Sequence, residues 1–181
     1  MLFILSNKIV NSVAINNPNM SQQIVLGLGA GQCGLDLLAE VLQAQPSARI
    51  SIEQMPILSW KQGQASPGIR ERIERWKATI DAPIVGDIAP FYLPHVERAI
   101  ECEPSIRVVC QKRPRDEVVS GYANSLDTTR RVPTNLWSEQ LEPGWYHDPL
   151  WTRAFPQYPT PDRSEAIGLY WNDYYSIAER T

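Results

Sequence analysis

The run Ile24-Val25-Leu26 leads directly into four closely spaced glycines, Gly27, Gly29, Gly31 and Gly34, and then into Leu35, Leu37, Leu38, Val41 and Leu42 at helical spacing. A buried-strand signal, a glycine-rich turn and an apolar helical stripe together leave few folds open. Glycines let the backbone curl tightly between the two elements. The helix stops near Gln45-Pro46, because proline cannot continue it. Arg49-Ile50-Ser51-Ile52 reads as a second strand, so residues 24–53 predict a strand–helix–strand unit.

The alternation continues. Residues 61–68 read as a Gly/Pro/Ser loop and 69–79 as a charged amphipathic helix. Pro83 to Asp87 reads as a strand. Residues 92–102 predict a helix, with Val96, Ala99 and Ile100 on one face and Pro94 in its first turn. Ile106 to Cys110 is a further strand, the basic turn Gln111 to Asp116 follows, and a helix runs from about Glu117 to Leu126. A last helix covers about 163–179. The expectation is an α/β domain of three layers, α/β/α, with a central parallel sheet of four or five strands. Residues 127–163 hold many Pro, Trp and Tyr without periodicity and predict a long irregular segment. Residues 11–20 are rich in Asn and aperiodic, so 1–21 is expected to be a flexible leader, with Met20 an alternative start, and 22–181 one domain. The chain stops almost on its last helix, which leaves room for a missing C-terminal portion.

Composition limits the function classes. At 181 residues the chain suits one domain with a real core. Its net charge of −3 offers no basic field for nucleic acid, so any anion site must be local. Three cysteines without a CxxC pair argue against a disulfide framework or a zinc site and suit a reducing, cytoplasmic compartment. Two histidines, His95 and His147, make a His-rich metal centre a poor expectation. No segment reaches the ~20 apolar residues of a membrane helix.

The turn Gly29-Ala30-Gly31-Gln32-Cys33-Gly34 between strand and helix directs backbone amides and the helix dipole at an anion. As a Walker A loop it fails: Leu35-Asp36 stands where Lys-Ser/Thr is needed, so ATP hydrolysis is disfavoured. As a dinucleotide fingerprint, Gly29-x-Gly31-x-x-Gly34 matches, and Glu53 falls 19 residues beyond Gly34, where an acid would bind ribose hydroxyls. A bare tight turn without a ligand is the plainer alternative.

The second turn distinguishes these readings. Ile106 to Ser120, carrying Lys112-Arg113-Pro114-Arg115 and Ser120, is similar to the 3′-phosphate motif of sulfotransferases. There a strand-end arginine and a helical serine hold the 3′-phosphate of the donor 3′-phosphoadenosine-5′-phosphosulfate. A guanidinium fork suits phosphate because it donates two parallel hydrogen bonds. The first turn resembles the family's 5′-phosphosulfate loop. The stretches Ile84 to Pro94 and Tyr170 to Tyr175 resemble bacterial members. The resemblance spans about residues 22–179. It implies a P-loop NTPase-like sulfotransferase fold and transfer of a sulfuryl group to a small-molecule, glycan or peptide acceptor bearing a hydroxyl or amine, without a metal. Gly29, Gly31, Gln32, Cys33, Gly34 and Leu35 would cradle the 5′ end, and Arg113 with Ser120 the 3′-phosphate. In the tyrosylprotein sulfotransferases the loop arginine and the catalytic glutamate are separated as Gln32 and Glu53 are here, which makes Glu53 the implied base.

The pattern is also broken. Gln32 replaces the family's Lys or Arg, and losing such a charge costs roughly 10²–10³ in rate by analogy with oxyanion-hole donors. Leu35 replaces a Ser or Thr. Arg113 to Ser120 spans seven residues against the family's eight, a spacing that Lys112 would satisfy. Two alternatives therefore stay open: a Rossmann-type NAD(P)-binding protein, and a nucleotide-binding or interaction domain that has lost catalysis. Other side chains invite weaker readings. His95 is a second base candidate or a packed imidazole. Cys33 stands at a helix start, where a thiolate is stabilised, but has no identifiable His partner. Asp87 reads as a cap for the next helix, or as an acceptor-site residue. Arg115, Arg130 and Arg131 add charge or form a solvated face. Trp137, Trp145, Tyr146, Trp151, Phe155 and Tyr158 either line an acceptor pocket or pin a long loop to the core.

Overall fold

The computed structural model describes residues 2–4, 22–61, 67–129, 134–140, 143–146 and 148–181. Arg130, Arg131 and His147, most of the expected leader and most of the 61–68 loop lie outside them. Strands β1 (Leu2–Ile4), β2 (Gln23–Leu28), β3 (Ala48–Ile52), β4 (Ile84–Ile88) and β5 (Arg107–Gln111) form one sheet in the order β1-β5-β2-β4-β3. The last four are mutually parallel, and β1 joins β5 antiparallel. The parallel α/β class is thus as expected. The edge strand β1 is an addition, drawn from a stretch expected to be loose.

The helices are α1 (Leu35–Gln43), α2 (Pro67–Thr79), α3 (Val96–Cys102), α4 (Arg115–Thr129) and α5 (Arg163–Ala178). Strand β2 connects through α1 to β3, which lies two places away, and the chain returns through α2 to fill the gap with β4. For this strand order the right-handed crossover rule puts α1 on one face and α2 and α3 together on the other, and α2 and α3 do pack against each other. Fully buried Ile24, Leu26 and Leu28 alternate along β2 between Val85 and Ile88 of β4 and Val108 and Cys110 of β5. Helix α1 buries Leu35, Leu38 and Ala39, while Leu37 and Val41 face outward despite their helical spacing. From the last residue of α1, the Gln43 side-chain amide reaches over to donate to Ala48 O and accept from Ile50 N, blunting the outer edge of β3.

The helix expected over 92–102 is two pieces. Pro90 to His95 form a 3-10 turn and only Val96 onward is α-helical. Two prolines explain the break, since each lacks an N–H and Pro94 crowds the turn before it. Helix α5 begins where Asp162 accepts from Glu165 N. The irregular segment before it carries a 3-10 turn at Thr152–Ala154 and two isolated bridges.

Candidate functional site at the carboxyl ends of the strands

Parallel pairing brings all four strand-end loops to one edge. Because β2 and β5 are neighbours, the glycine-rich turn and the basic turn open side by side. Arg113 joins them directly: its Nη1 donates to Gln32 O at 3.2 Å. Glu53, just past β3, shares this edge. Its carboxyl feels the charge of Asp36 in the first turn of α1.

The glycine-rich turn needs positive φ at Gly31 (78°), Gln32 (46°) and Gly34 (92°). Its first half is built inward. Gly29 N donates to the Tyr174 hydroxyl at 2.9 Å, and Ala30 N to that of Tyr175 at 3.3 Å. Tyr122 donates to Ala30 O at 2.8 Å, and Tyr175 to Gln111 O at 2.7 Å. The amides of Gly31 and Cys33 face the Cys33 sulfur. The amides of Gln32, Gly34, Leu35 and Asp36 have no protein acceptor among the described residues, as the geometry of a helix start requires. An anion would therefore meet Gln32 and Gly34 to Asp36, not the whole turn. The Leu35 side chain is core, and the Gln32 side chain lies over Gly121 of α4.

In the basic turn Arg113 Nε donates to Glu117 Oε2 at 2.5 Å, and Trp171 Nε1 fixes Arg113 O at 2.9 Å. Lys112 instead turns to α5, pairing with Glu179 at 2.8 Å over the rings of Trp171 and Tyr175. That leaves Arg113 as the guanidinium beside the loop. Ser120 is exposed on the same α4 face, its hydroxyl donating to Glu117 O at 3.2 Å. Arg115 reaches Gly168 O and Asp116.

Glu53 adopts φ 49° and donates its N–H to Ile88 O. Burial, then the nearby charges of Asp87 and Asp36, push its carboxyl up to about 7. A carboxylate poised there exchanges protons near neutral pH, as a general base must. The segment after Glu53 is fastened by a buried ionic cluster. Asp87 accepts from Gln54 N at 3.1 Å and from the Tyr92 hydroxyl at 2.5 Å, and lies 3.7 Å from Arg72. Arg72 also donates to Tyr92 and to Pro56 O. Trp76 Nε1 donates to Gln54 Oε1 at 2.8 Å. Asp87 is therefore no helix cap: it lies within β4, and no side chain caps the turn that follows.

Glu53 yields a pH prediction. Its folded value is raised above the ordinary 4.5, so between about 4.5 and 7 the folded chain holds a proton the unfolded chain has released. Stability falls as pH rises through that window. Glu53→Gln should match the wild type near pH 4.5 and exceed it by roughly 1–3 kcal/mol at pH 8. Urea denaturation at the two pH values reads the difference, and equal stability at pH 8 would remove the buried-acid assignment.

His95 is a packed imidazole, 2.9 Å from Ser59 O and lowered in pKa chiefly by burial. The Cys33 thiol is buried and pushed up to about 11, the reverse of an activated nucleophile. The three cysteines are free. Among the described residues no group of His, Cys, Asp and Glu is arranged to hold a metal, and no helix is long and apolar enough to cross a membrane. Trp137 and Phe155 pin the irregular segment to Tyr122 and Tyr170. Trp151 stacks on Phe155, Tyr158 bonds Asp173, Trp145 meets Arg163, and Tyr146 is exposed. No family model matches this chain, and no curated protein or solved structure does.

Proposed function

We propose that the chain binds 3′-phosphoadenosine-5′-phosphosulfate across the two adjacent turns and transfers its sulfuryl group to a hydroxyl or amine acceptor. The observation that carries this reading is the Arg113 to Gln32 contact, which sets the basic turn against the glycine-rich one at the sheet edge that also holds Glu53. The amides of Gln32 and Gly34 to Asp36 would meet the 5′ end, and Arg113 the 3′-phosphate. The acceptor oxygen or nitrogen attacks sulfur, Glu53 takes its proton, the bond from sulfur to the phosphate oxygen breaks, and adenosine 3′,5′-bisphosphate leaves. No cation comes from the loop, because Gln32 stands there.

The strand order weighs against the dinucleotide reading. In that fold the second parallel strand lies beside the first; here the third does, with β4 next to β2. One observation favours binding without turnover as a second reading: Gln32, at the loop position that would stabilise the leaving oxygen, is uncharged.

Adenosine 3′,5′-bisphosphate at about 100 times its Kd should raise the thermal midpoint by roughly 5–10 °C, and NAD should not. Arg113→Ala should abolish the shift. Glu117→Gln, which frees the guanidinium, should enlarge it. A shift with NAD alone, or one indifferent to Arg113, would overturn the assignment. Sulfuryl transfer to a panel of hydroxylated acceptors separates enzyme from binder.

A further inference from the structure

A cavity of about 560 Å³ opens between the segment after Glu53 and the irregular segment, sharing no residue with the two turns. Its volume lies within the range of small-molecule sites. Trp60 and Phe155 supply aromatic surface, while Lys61, Arg153 and Glu139 supply charge. The walls are fastened to each other: Trp60 N donates to Arg153 O at 2.8 Å, and Arg153 Nη2 returns a bond to Ile57 O at 2.9 Å. Trp60 is held from behind by Tyr170 and Tyr174, at ring distances of 5.7 and 5.8 Å. None of the three charged groups has an ion-pair partner among the described residues. Thr152, also in the lining and only 9% exposed, has a hydroxyl with no hydrogen-bond partner there.

We propose that this cavity binds the zwitterion of an aromatic α-amino acid. Two cations and one carboxylate around an aromatic interior complement a ligand with one carboxylate, one ammonium and a ring. The carboxylate answers Lys61 and Arg153, the ammonium answers Glu139, and the ring lies against Trp60 and Phe155. An aromatic anion without the ammonium leaves Glu139 facing it unpaired; an amine without the carboxylate leaves both cations unanswered.

Three probes separate these cases: L-phenylalanine, phenylacetate and phenethylamine, each titrated into the full chain and followed by amide and indole NMR. Trp60→Phe assigns the Trp60 indole. L-Phenylalanine should shift the Trp60 and Thr152 signals saturably, and the other two should bind at least about fivefold more weakly, as loss of one semi-exposed charge contact allows. Glu139→Gln should weaken L-phenylalanine while leaving phenylacetate no weaker. All three mutable charges are exposed, so the fold should tolerate the changes. No saturable shift, equal binding of the three probes, or shifts confined to other regions would each overturn the proposal. The titration contains no nucleotide, so its outcome stands apart from the sulfuryl-transfer reading.

Discussion

Gly31→Ala should lower the thermal midpoint by roughly 8–16 °C, corresponding to about 4 kcal/mol for a chain of this size. Two effects combine at this position. The backbone sits at φ 78°, where a side chain costs about 1–2 kcal/mol. An added Cβ would also fall within the Tyr122 hydroxyl and too close to its ring carbon. Tyr122 is 8% exposed and its hydroxyl holds Ala30 O, so moving it breaks a buried bond worth a further ~1–3 kcal/mol. The pair Gly31→Ala with Tyr122→Phe isolates the clash. Removing the hydroxyl should recover part of the loss, giving a coupling of roughly 1 kcal/mol or more between the sites. Additive losses in a calorimetric cycle would mean the turn can reshape without Tyr122.

Arg72→Met should cost about 3–5 kcal/mol, because it leaves the Asp87 carboxylate buried without its cation. Both side chains are at most 1% exposed. The double change Arg72→Met with Asp87→Asn should regain much of that loss, since a neutral amide needs no counter-charge. The same pair reports on Glu53. Asp87 is the second cause of the raised Glu53 value, after burial, so Asp87→Asn should move that titration downward. A carboxyl-carbon NMR titration would show it. A Glu53 value unmoved by the loss of Asp87 would leave the ionic cluster as a fastening for the 54–57 segment alone.

The strand, turn and helix around Gly29–Gly34 were legible because their signals are local: apolar residues, glycines with positive φ, and a helical period. Glu53 was legible for the same reason, sitting at a strand end at a readable distance. Strand order was not legible, since a pattern such as Ile84 to Asp87 does not encode its neighbours. Nor were the hydroxyls of Tyr174 and Tyr175, because they act on residues 145 positions earlier. Asp87 was misread for a related reason. A carboxylate at an apparent strand end suggests a cap, and only the fold reveals Arg72 and Tyr92 beside it. Glu117 was read simply as the start of a helix; its spacing of four from Arg113 was the available signal for the pair.

The tyrosines of α5 have a consequence for the order in which the molecule is made. The turn is encoded ahead of α1, yet Gly29 and Ala30 wait for partners that α5 supplies 145 residues later. A nascent polypeptide could therefore pair its parallel strands while this turn still lacked its anchors. Any capacity to hold an anion there would mature only once α5 has been made and has docked.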